Sequence, residues 1–506
     1  MSLFYRSLQH AYISKPGIVR PRRIRTLLTL AVESSCDDSA VAILETHNVK
    51  SSLIASQSPS ASSPPTAHLH FNHRISATTA NLRGIHPVAA AISHQRSLAS
   101  LLRSALPSLP DARDDVDPSK TVFIDVEGKL KQKCKPDFIA VTSGPGMISS
   151  LTTGIENAKG LAVAWGLPIV GVHHMQAHAL TPQLVHALES GRAGKQVEEE
   201  HVAAGVRAAS RSLQPAFPFL SLLVSGGHTI LVDSKNVTQH RVLAKTADNA
   251  VGDALDKMAR MILPEEIMAS EKQLSNYGAM LEEFVFPGSN PLPSGQAGED
   301  RSYDYGYAPS SAARRVSQYG WALPIPLAAK PKSEQFAFSF AGLISAMERN
   351  VDPETRLVWN DQRQKNDRVP RTESPSEDER RELGKLAMTV TFDHLARTVI
   401  MGLEAMEERG DRVGTLVVAG GVSANQFLKH VLRVNLDRAG FGKVEIETPP
   451  LALCTDNAAM IAWAGSLLFE EGFRGTLGML AKRTWSLDDY DGTEVNLSVF
   501  DGATEA

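Results

Sequence analysis

Short apolar runs alternate with helical stretches along most of the chain, and the runs end repeatedly in acidic or glycine-rich turns. Residues 27–32 and 39–44 flank Glu33-Ser-Ser-Cys-Asp-Asp38 and read as a hairpin with an acidic turn. Residues 138–142 read as a strand ending in Ser143-Gly-Pro-Gly146, followed by a helical pattern over 148–165, and 167–172 read as a buried strand feeding another helix. A strand at 219–224 runs into Ser225-Gly-Gly-His-Thr229 and resumes at 230–233, while 415–419 ends in Gly420-Gly-Val-Ser-Ala-Asn425 and a helix. A last helix is expected over 457–468. This alternation predicts an α/β architecture, and strand, glycine turn and helix recur in both halves, as in a duplication with its seam between Leu180 and Phe217.

Segments 51–65, 191–214, 287–317 and 352–381 are rich in serine and proline, mixed charge or loop-forming residues, and are expected to be surface insertions. The chain has 506 residues, 42% hydrophobic and 21% charged, enough for two or three domains with substantial cores. No uninterrupted apolar segment approaches the roughly 18 residues of a membrane span. A net charge of −4 excludes a generally basic nucleic-acid coat, so any RNA contact is regional. Cys36, Cys134 and Cys454 are too few and too scattered for a disulfide framework. The first 32 residues carry Arg6, Lys15, Arg20, Arg22, Arg23 and Arg25 and no acid before Glu33, the composition of a mitochondrial presequence over residues 1–26.

The chemistry concentrates in His174-Met-Gln-Ala-His178. Four residues along a helix return to the same face, so the two imidazoles can share one divalent ion. Metalloprotease helices use the same spacing with a glutamate after the first histidine, but Met175 stands there, so the hydrolytic base is missing. Glycine turns at strand ends let a ligand approach the backbone and present amides to phosphate or carboxylate oxygens.

Six ordered motifs carry a family resemblance: Glu33-Ser-Ser-Cys-Asp-Asp38, Thr142-Ser-Gly-Pro-Gly146, His174 to His178, Val224-Ser-Gly-Gly-His-Thr229, Gly420-Gly-Val-Ser-Ala-Asn425 and Cys454-Thr-Asp-Asn457. In this the chain resembles the tRNA threonylcarbamoyladenosine transferases, and most of all their mitochondrial branch. The resemblance implies a two-lobed actin and sugar-kinase-like fold with an interlobe cleft. It divides the chain into a first lobe over 27–181, a linker over 182–216 and a second lobe over 217–485 with insertions near 263–330 and 350–382. A C-terminal helix is expected to return to the first lobe, before a tail over 486–506.

It further implies one divalent metal ion, iron or zinc, on His174, His178 and Asp456, and substrate binding by Val224, Ser225, Gly226, Gly227, His228, Asp256, Gly278, Glu282 and Asn425. No residue is nominated as a general base. Asp456 also stands where a helix begins and has N-cap duty as its alternative role. The chain departs from the family pattern at Val88 and Gln176, where relatives often have glutamate, and at Ile344, where lysine is usual.

The implied reaction transfers the threonylcarbamoyl group of threonylcarbamoyl-AMP, supplied by a separate synthase, to the exocyclic amine of adenosine 37 in mitochondrial tRNAs reading codons that begin with adenine. A homodimer in the mitochondrial matrix, without membrane association, is expected. Arg83, Arg96, Arg314, Arg315, Lys330 and Lys332 are candidate tRNA contacts, with Tyr303, Tyr305 and Tyr307 as stacking candidates. An ATP-dependent kinase of the same superfamily fold is the main alternative; it would share the glycine turns but hold Mg²⁺ through oxygen ligands, leaving the paired histidines without purpose. A non-catalytic scaffold is the other.

Overall fold

A computed structural model describes residues 26–49, 65–77, 86–201, 213–270, 277–288, 303–306, 314–327, 335–363 and 365–488. Residues 1–25 of the expected presequence (1–26), residues 489–506 of the expected tail (486–506), and Arg83, Tyr307, Lys330 and Lys332 lie outside these residues. The fold is mixed α/β and built on two principal sheets.

In the first sheet, β1 (Thr26–Glu33), β2 (Asp38–His47) and β3 (Thr66–Ser76) form an antiparallel meander, and β1 also pairs in parallel with β6 (Phe138–Gly144), which pairs in parallel with β7 (Ile169–His173). The hairpin expected around the acidic turn is β1–β2. Between β3 and β6, β4 (Thr121–Val126) and β5 (Lys129–Cys134) make a separate ribbon. The second sheet repeats the plan: β8 (Phe219–Val224), β9 (Thr229–Ser234) and β10 (His240–Thr246) form the meander, and β8 pairs in parallel with β16 (Thr415–Ala419), itself parallel to β17 (Glu445–Glu447). The short β13 (Ala337–Phe338) adds to the outer edge of β10.

Alternation along the strands gives the first sheet two different faces. Leu30, Val32, Val41, Ile43 and Val141 pack under the helices Pro87–Ala105 and Ile148–Trp165. Ala31, Ala40, Ala42 and Ala140 face the other way, against the helix Ala458–Glu470. These methyl side chains let the helix lie close: a Cβ on Gly465 would meet the Ala140 Cβ at 2.7 Å. Ser466 and Thr29 hydroxyls meet at 3.0 Å across the same contact. In the second half the helix Glu377–Glu408, capped by Ser376 accepting from the Glu379 amide, carries Leu395, Val399 and Leu403 into a core shared with the helices Val251–Ile262 and Gln426–Arg438.

Two of the expected insertions contain strands. Within 352–381, β14 (Thr355–Asn360) and β15 (Lys365–Pro370) form a hairpin, Leu357 is buried in the second core, and Arg371 pairs with Glu379 at 2.9 Å in a buried bridge. Leu357 is the one buried position of β14, and β15 is half-buried or exposed throughout, so the hairpin lies on the surface with a single anchor in the core. Within 287–317, β11 (Arg314–Val316) pairs with β12 (Ala322–Pro324). Residues 182–201, expected as linker, continue the helix His174–His201, with Leu184 and Ala187 buried; residues 202–212 lie outside the described ones.

Gly420, which ends β16, has φ +99, and a Cβ there would sit 2.3 Å from the Val224 carbonyl oxygen at the end of β8. Positive φ alone costs an L side chain roughly 1–2 kcal/mol, and the collision with fixed backbone adds to it. Gly420→Ala is therefore expected to destabilise the protein by roughly 2 kcal/mol or more in urea unfolding; an unchanged midpoint would refute the close-approach argument.

Candidate metal centre and cleft

Five strands deliver their C-terminal ends to one place. β1 leads to Ser35–Asp38. β6 leads to Pro145, Gly146 and Met147, β7 to His174, β8 to Ser225–His228, and β16 to Gly420 and Gly421. Together with His178, Cys454, Thr455 and Asp456 these residues line a cleft of about 380 Å³, a size suited to a small ligand. Loops beyond strand carboxyl ends are where α/β sheets bind ligands.

β7 passes directly into the helix that starts at His174, so His174 and His178 lie one turn apart with rings 4.7 Å between centroids. Asp456 approaches from 278 residues away, its Oδ1 3.1 Å from His178 Nε2 and 3.5 Å from His174 Nε2; the two Nε2 atoms are 3.2 Å apart. One ligand-type atom from each residue falls within 4.8 Å of the others, and no other described group of His, Cys, Asp or Glu does this. The N-cap duty weighed for Asp456 belongs to its neighbour: Asn457 Oδ1 accepts from the Met460 amide at 3.0 Å. That leaves the Asp456 carboxylate free to face the histidines.

Behind His174 stands Glu33, with no exposed surface. Its Oε2 accepts from His174 Nδ1 at 3.3 Å and from the Thr142 hydroxyl, and its Oε1 accepts from the Ser35 amide. His174 Nδ1 also lies 3.1 Å from the Ser35 hydroxyl, and with both partners on Nδ1 the Nε2 atom is turned into the cleft toward His178 and Asp456. Burial opposes charge on His174, but Asp456 and Glu33 together raise its pKa to about 10. Burial likewise opposes the charge of Asp456, which His174 and His178 nevertheless hold well below the usual carboxylate range. Burial lowers His228, facing the same cleft, to about 4, with His174 adding to the shift. Glu33 opens the acidic turn in the sequence, but its contact with a histidine 141 residues away has no local signal.

The glycine turn is internally braced. Ser225 Oγ accepts from the amides of Gly227 and His228 at 3.3 and 3.0 Å, and the Ser225 carbonyl accepts from Gly252. Nothing lies within 4 Å of a Cβ added to Gly226 or Gly227, so both open onto free space. Val224 through His228 line the cleft.

Asp256, Gly278, Glu282 and Asn425 gather in a second cluster instead. Asp256 Oδ1 accepts from the Gly278 amide at 2.9 Å, Glu282 Oε1 accepts from Gln426 and Phe427 at 2.9 and 3.0 Å, and Asn425 Oδ1 caps the same helix through Leu428 at 2.8 Å. Burial raises Asp256 to about 6 and Glu282 to about 7.

Several RNA-contact candidates are already committed elsewhere. Arg315 is bound to Asp393 at 2.6 Å, Tyr305 donates to Asp393 and accepts from Asn435, and Tyr303 packs on Phe286 and Phe427. Arg314 lies over the Trp359 ring, whereas Arg96 is exposed on its helix.

A family model described as tRNA N6-adenosine threonylcarbamoyltransferase matches residues 130–197, 195–294 and 299–463. The chain belongs to the tRNA N6-adenosine threonylcarbamoyltransferase family. As a member it is a transferase that modifies tRNA. It is 29% identical over 472 residues to a Schizosaccharomyces pombe protein named as the mitochondrial tRNA N6-adenosine threonylcarbamoyltransferase, covering 92% of this chain and 87% of that one. It is 30% identical over 465 residues to the Cereibacter sphaeroides tRNA N6-adenosine threonylcarbamoyltransferase, covering 91% and 94%. A crystal structure of T. kodakarensis HypF aligns with a TM-score of 0.39 at 11% identity, over 88% of this chain and 48% of that one.

A pH dependence of stability follows from Glu282. Its native pKa, near 7, lies above its ordinary value of 4.5, so the folded protein binds this proton more tightly than the unfolded chain. The corresponding stability is complete below pH 4.5 and is lost as pH rises through 7. Glu282→Gln keeps the accepting oxygen and removes the titration, so its urea stability is expected to fall less between pH 5 and 8 than that of the unaltered protein. Equal slopes would overturn this assignment.

Proposed function

We propose that this protein transfers the threonylcarbamoyl group of threonylcarbamoyl-AMP to the exocyclic amine of adenosine 37 in mitochondrial tRNAs reading codons that begin with adenine. It does so in the mitochondrial matrix as a homodimer, with the adenylate supplied by a separate synthase and one divalent ion, iron or zinc, held by His174, His178 and Asp456. The relative named as mitochondrial and the basic, acid-free first 32 residues support the location. The repeated meander-plus-parallel plan of the two sheets supports a two-lobed actin and sugar-kinase-like fold with the cleft between lobes.

One observation carries the metal reading. Zinc bonded to nitrogen and oxygen at ~2.0–2.1 Å in a tetrahedron has neighbouring ligand atoms ~3.3 Å apart, and the three donor separations here are 3.2, 3.1 and 3.5 Å. Two imidazoles and one carboxylate leave a coordination position for substrate, as a catalytic centre requires. Oxygen-only Mg²⁺ binding of the kinase type does not use such a set.

When bound, the ion supplies a Lewis acid for an oxygen of the donor. The chain's own residues do the rest. Glu33 and Ser35 engage Nδ1 of His174 and set the direction of its ring. Gly226 and Gly227 leave room for the adenylate beside backbone amides, and Asp256, Gly278, Glu282 and Asn425 form the second part of its binding surface. The amine nitrogen attacks the carbamoyl carbon, the bond to the phosphate oxygen breaks, AMP leaves with that electron pair, and the amine's proton passes to the departing phosphate or to solvent. Because the donor arrives activated, orientation and charge stabilisation account for the rate.

Purified protein incubated with threonine, bicarbonate, ATP, an adenylate-forming enzyme and an adenine-decoding tRNA is expected to yield the threonylcarbamoylated nucleoside by mass spectrometry. His174→Ala and Asp456→Ala are expected to lose bound metal and at least ~100-fold in rate. Full modification by both variants would defeat the assignment.

A further inference from the structure

Asp456 sits on a short connection between the helices Leu451–Cys454 and Ala458–Glu470, a weak platform for a side chain that must meet two histidines. One cation bridges this connection to the first sheet. Arg74 Nη1 donates to the Thr455 hydroxyl and lies 3.4 Å from both the Asp456 carbonyl oxygen and Asp38 Oδ2. Arg74 stands opposite Ala40 in the β2–β3 register, and Ser76 stands opposite Asp38 two residues on, so all four share one sheet face. The Ser76 hydroxyl donates to Asp38 Oδ1 and fixes the carboxylate that holds Arg74.

Ordinary stabilisation does not account for the contact. The Arg74 side chain is 43% exposed, so it contributes little packing, and exposed pairs add little stability. It also places a cation beside the N-terminus of the helix Ala458–Glu470, where the helix dipole favours an anion. What the contact does accomplish is geometric: three acceptors from two distant segments are drawn onto one nitrogen, immediately before and at the residue whose carboxylate faces His178.

We infer that Arg74 is a positioning residue, a latch between the edge strand β3 and the 455–456 connection that holds the Asp456 carboxylate at its distance from His174 and His178. The inference rests on those three residues forming a metal site, and it adds a residue outside the ligand set. Loss of the latch lets the connection drift, lowering metal affinity by about tenfold, at the lower end of the effect of groups that orient metal ligands.

The test uses the full chain stripped of metal and titrated with Zn²⁺ against a chelator, then with Co²⁺ read by its visible spectrum. Arg74→Ala is expected to weaken Zn²⁺ binding about tenfold, to alter the Co²⁺ spectrum, and to speed amide hydrogen exchange over residues 451–460 of the metal-free protein. Its thermal midpoint is expected to be unchanged. Thr455→Val, which removes one leg of the latch, is expected to change the same readouts in the same direction but less, and carries the test should Arg74→Ala fail to fold. In the double variant the effects are expected to fall short of additive. Metal binding and exchange unchanged in a folded Arg74→Ala or Thr455→Val protein would overturn the latch. Failure of the unaltered protein to bind Zn²⁺ or Co²⁺ would instead overturn the metal reading, leaving the exchange measurement to decide the latch alone.

Discussion

The closeness of the helix Ala458–Glu470 to the first sheet is the constraint on which the site depends. Alanines on the sheet face and Gly465 on the helix remove the side chains that would hold the two apart. Close packing of this kind transmits small changes, because a core has no slack to absorb an added methylene. Asp456 precedes the helix by two residues, so the helix axis acts as a lever for its carboxylate. A change in this packing would move the Asp456 carboxylate relative to His178, where metal–ligand distances tolerate only ~0.2 Å.

Charge explains why the arrangement is stable before any ligand enters. Glu33 and Asp456 place two carboxylates on opposite sides of His174, and a buried carboxylate persists only when paired and hydrogen-bonded. With His174 protonated the trio still carries one net negative charge. On the proposed reading, a divalent ion held by His174, His178 and Asp456 would replace the His174 proton, and its two positive charges would balance the two carboxylates. Affinity for a cation is thus built into the electrostatics as well as the spacing.

What could be read from the sequence was whatever has a local period or a local exception to one. Strand ends at 224 and 419 were legible because glycine pairs interrupt apolar runs, and His174 and His178 because four residues make one helical turn. Glu33 was visible as an acid closing an apolar strand, but its role arises only when β7 brings His174 alongside. Segment 352–381 reads as a surface insertion, and its hairpin is not legible because Leu357 is the one buried position of β14 and a single residue does not establish a strand period. Tyr303, Tyr305 and Arg315 have the composition of an RNA-contacting surface, yet Asp393 and Phe427, far along the chain, absorb them. Side-chain partners set by tertiary packing leave no trace in spacing.

The two clusters of candidate site residues are mechanically one frame. Gly252 lies under the Ser225 carbonyl at a distance that excludes any Cβ, so the helix carrying Asp256 is fixed to the turn carrying Gly226 and Gly227. Asn425 and Glu282 satisfy the first amides of the helix Gln426–Arg438, and residues 421–425 join that helix to Gly420, which lies against Val224. A ligand spanning both clusters therefore meets groups whose separation is set by backbone contacts rather than by flexible side chains. That rigidity is what an activated donor requires, since its reactive carbon gains from being held in line with the incoming amine and loses if water reaches it first.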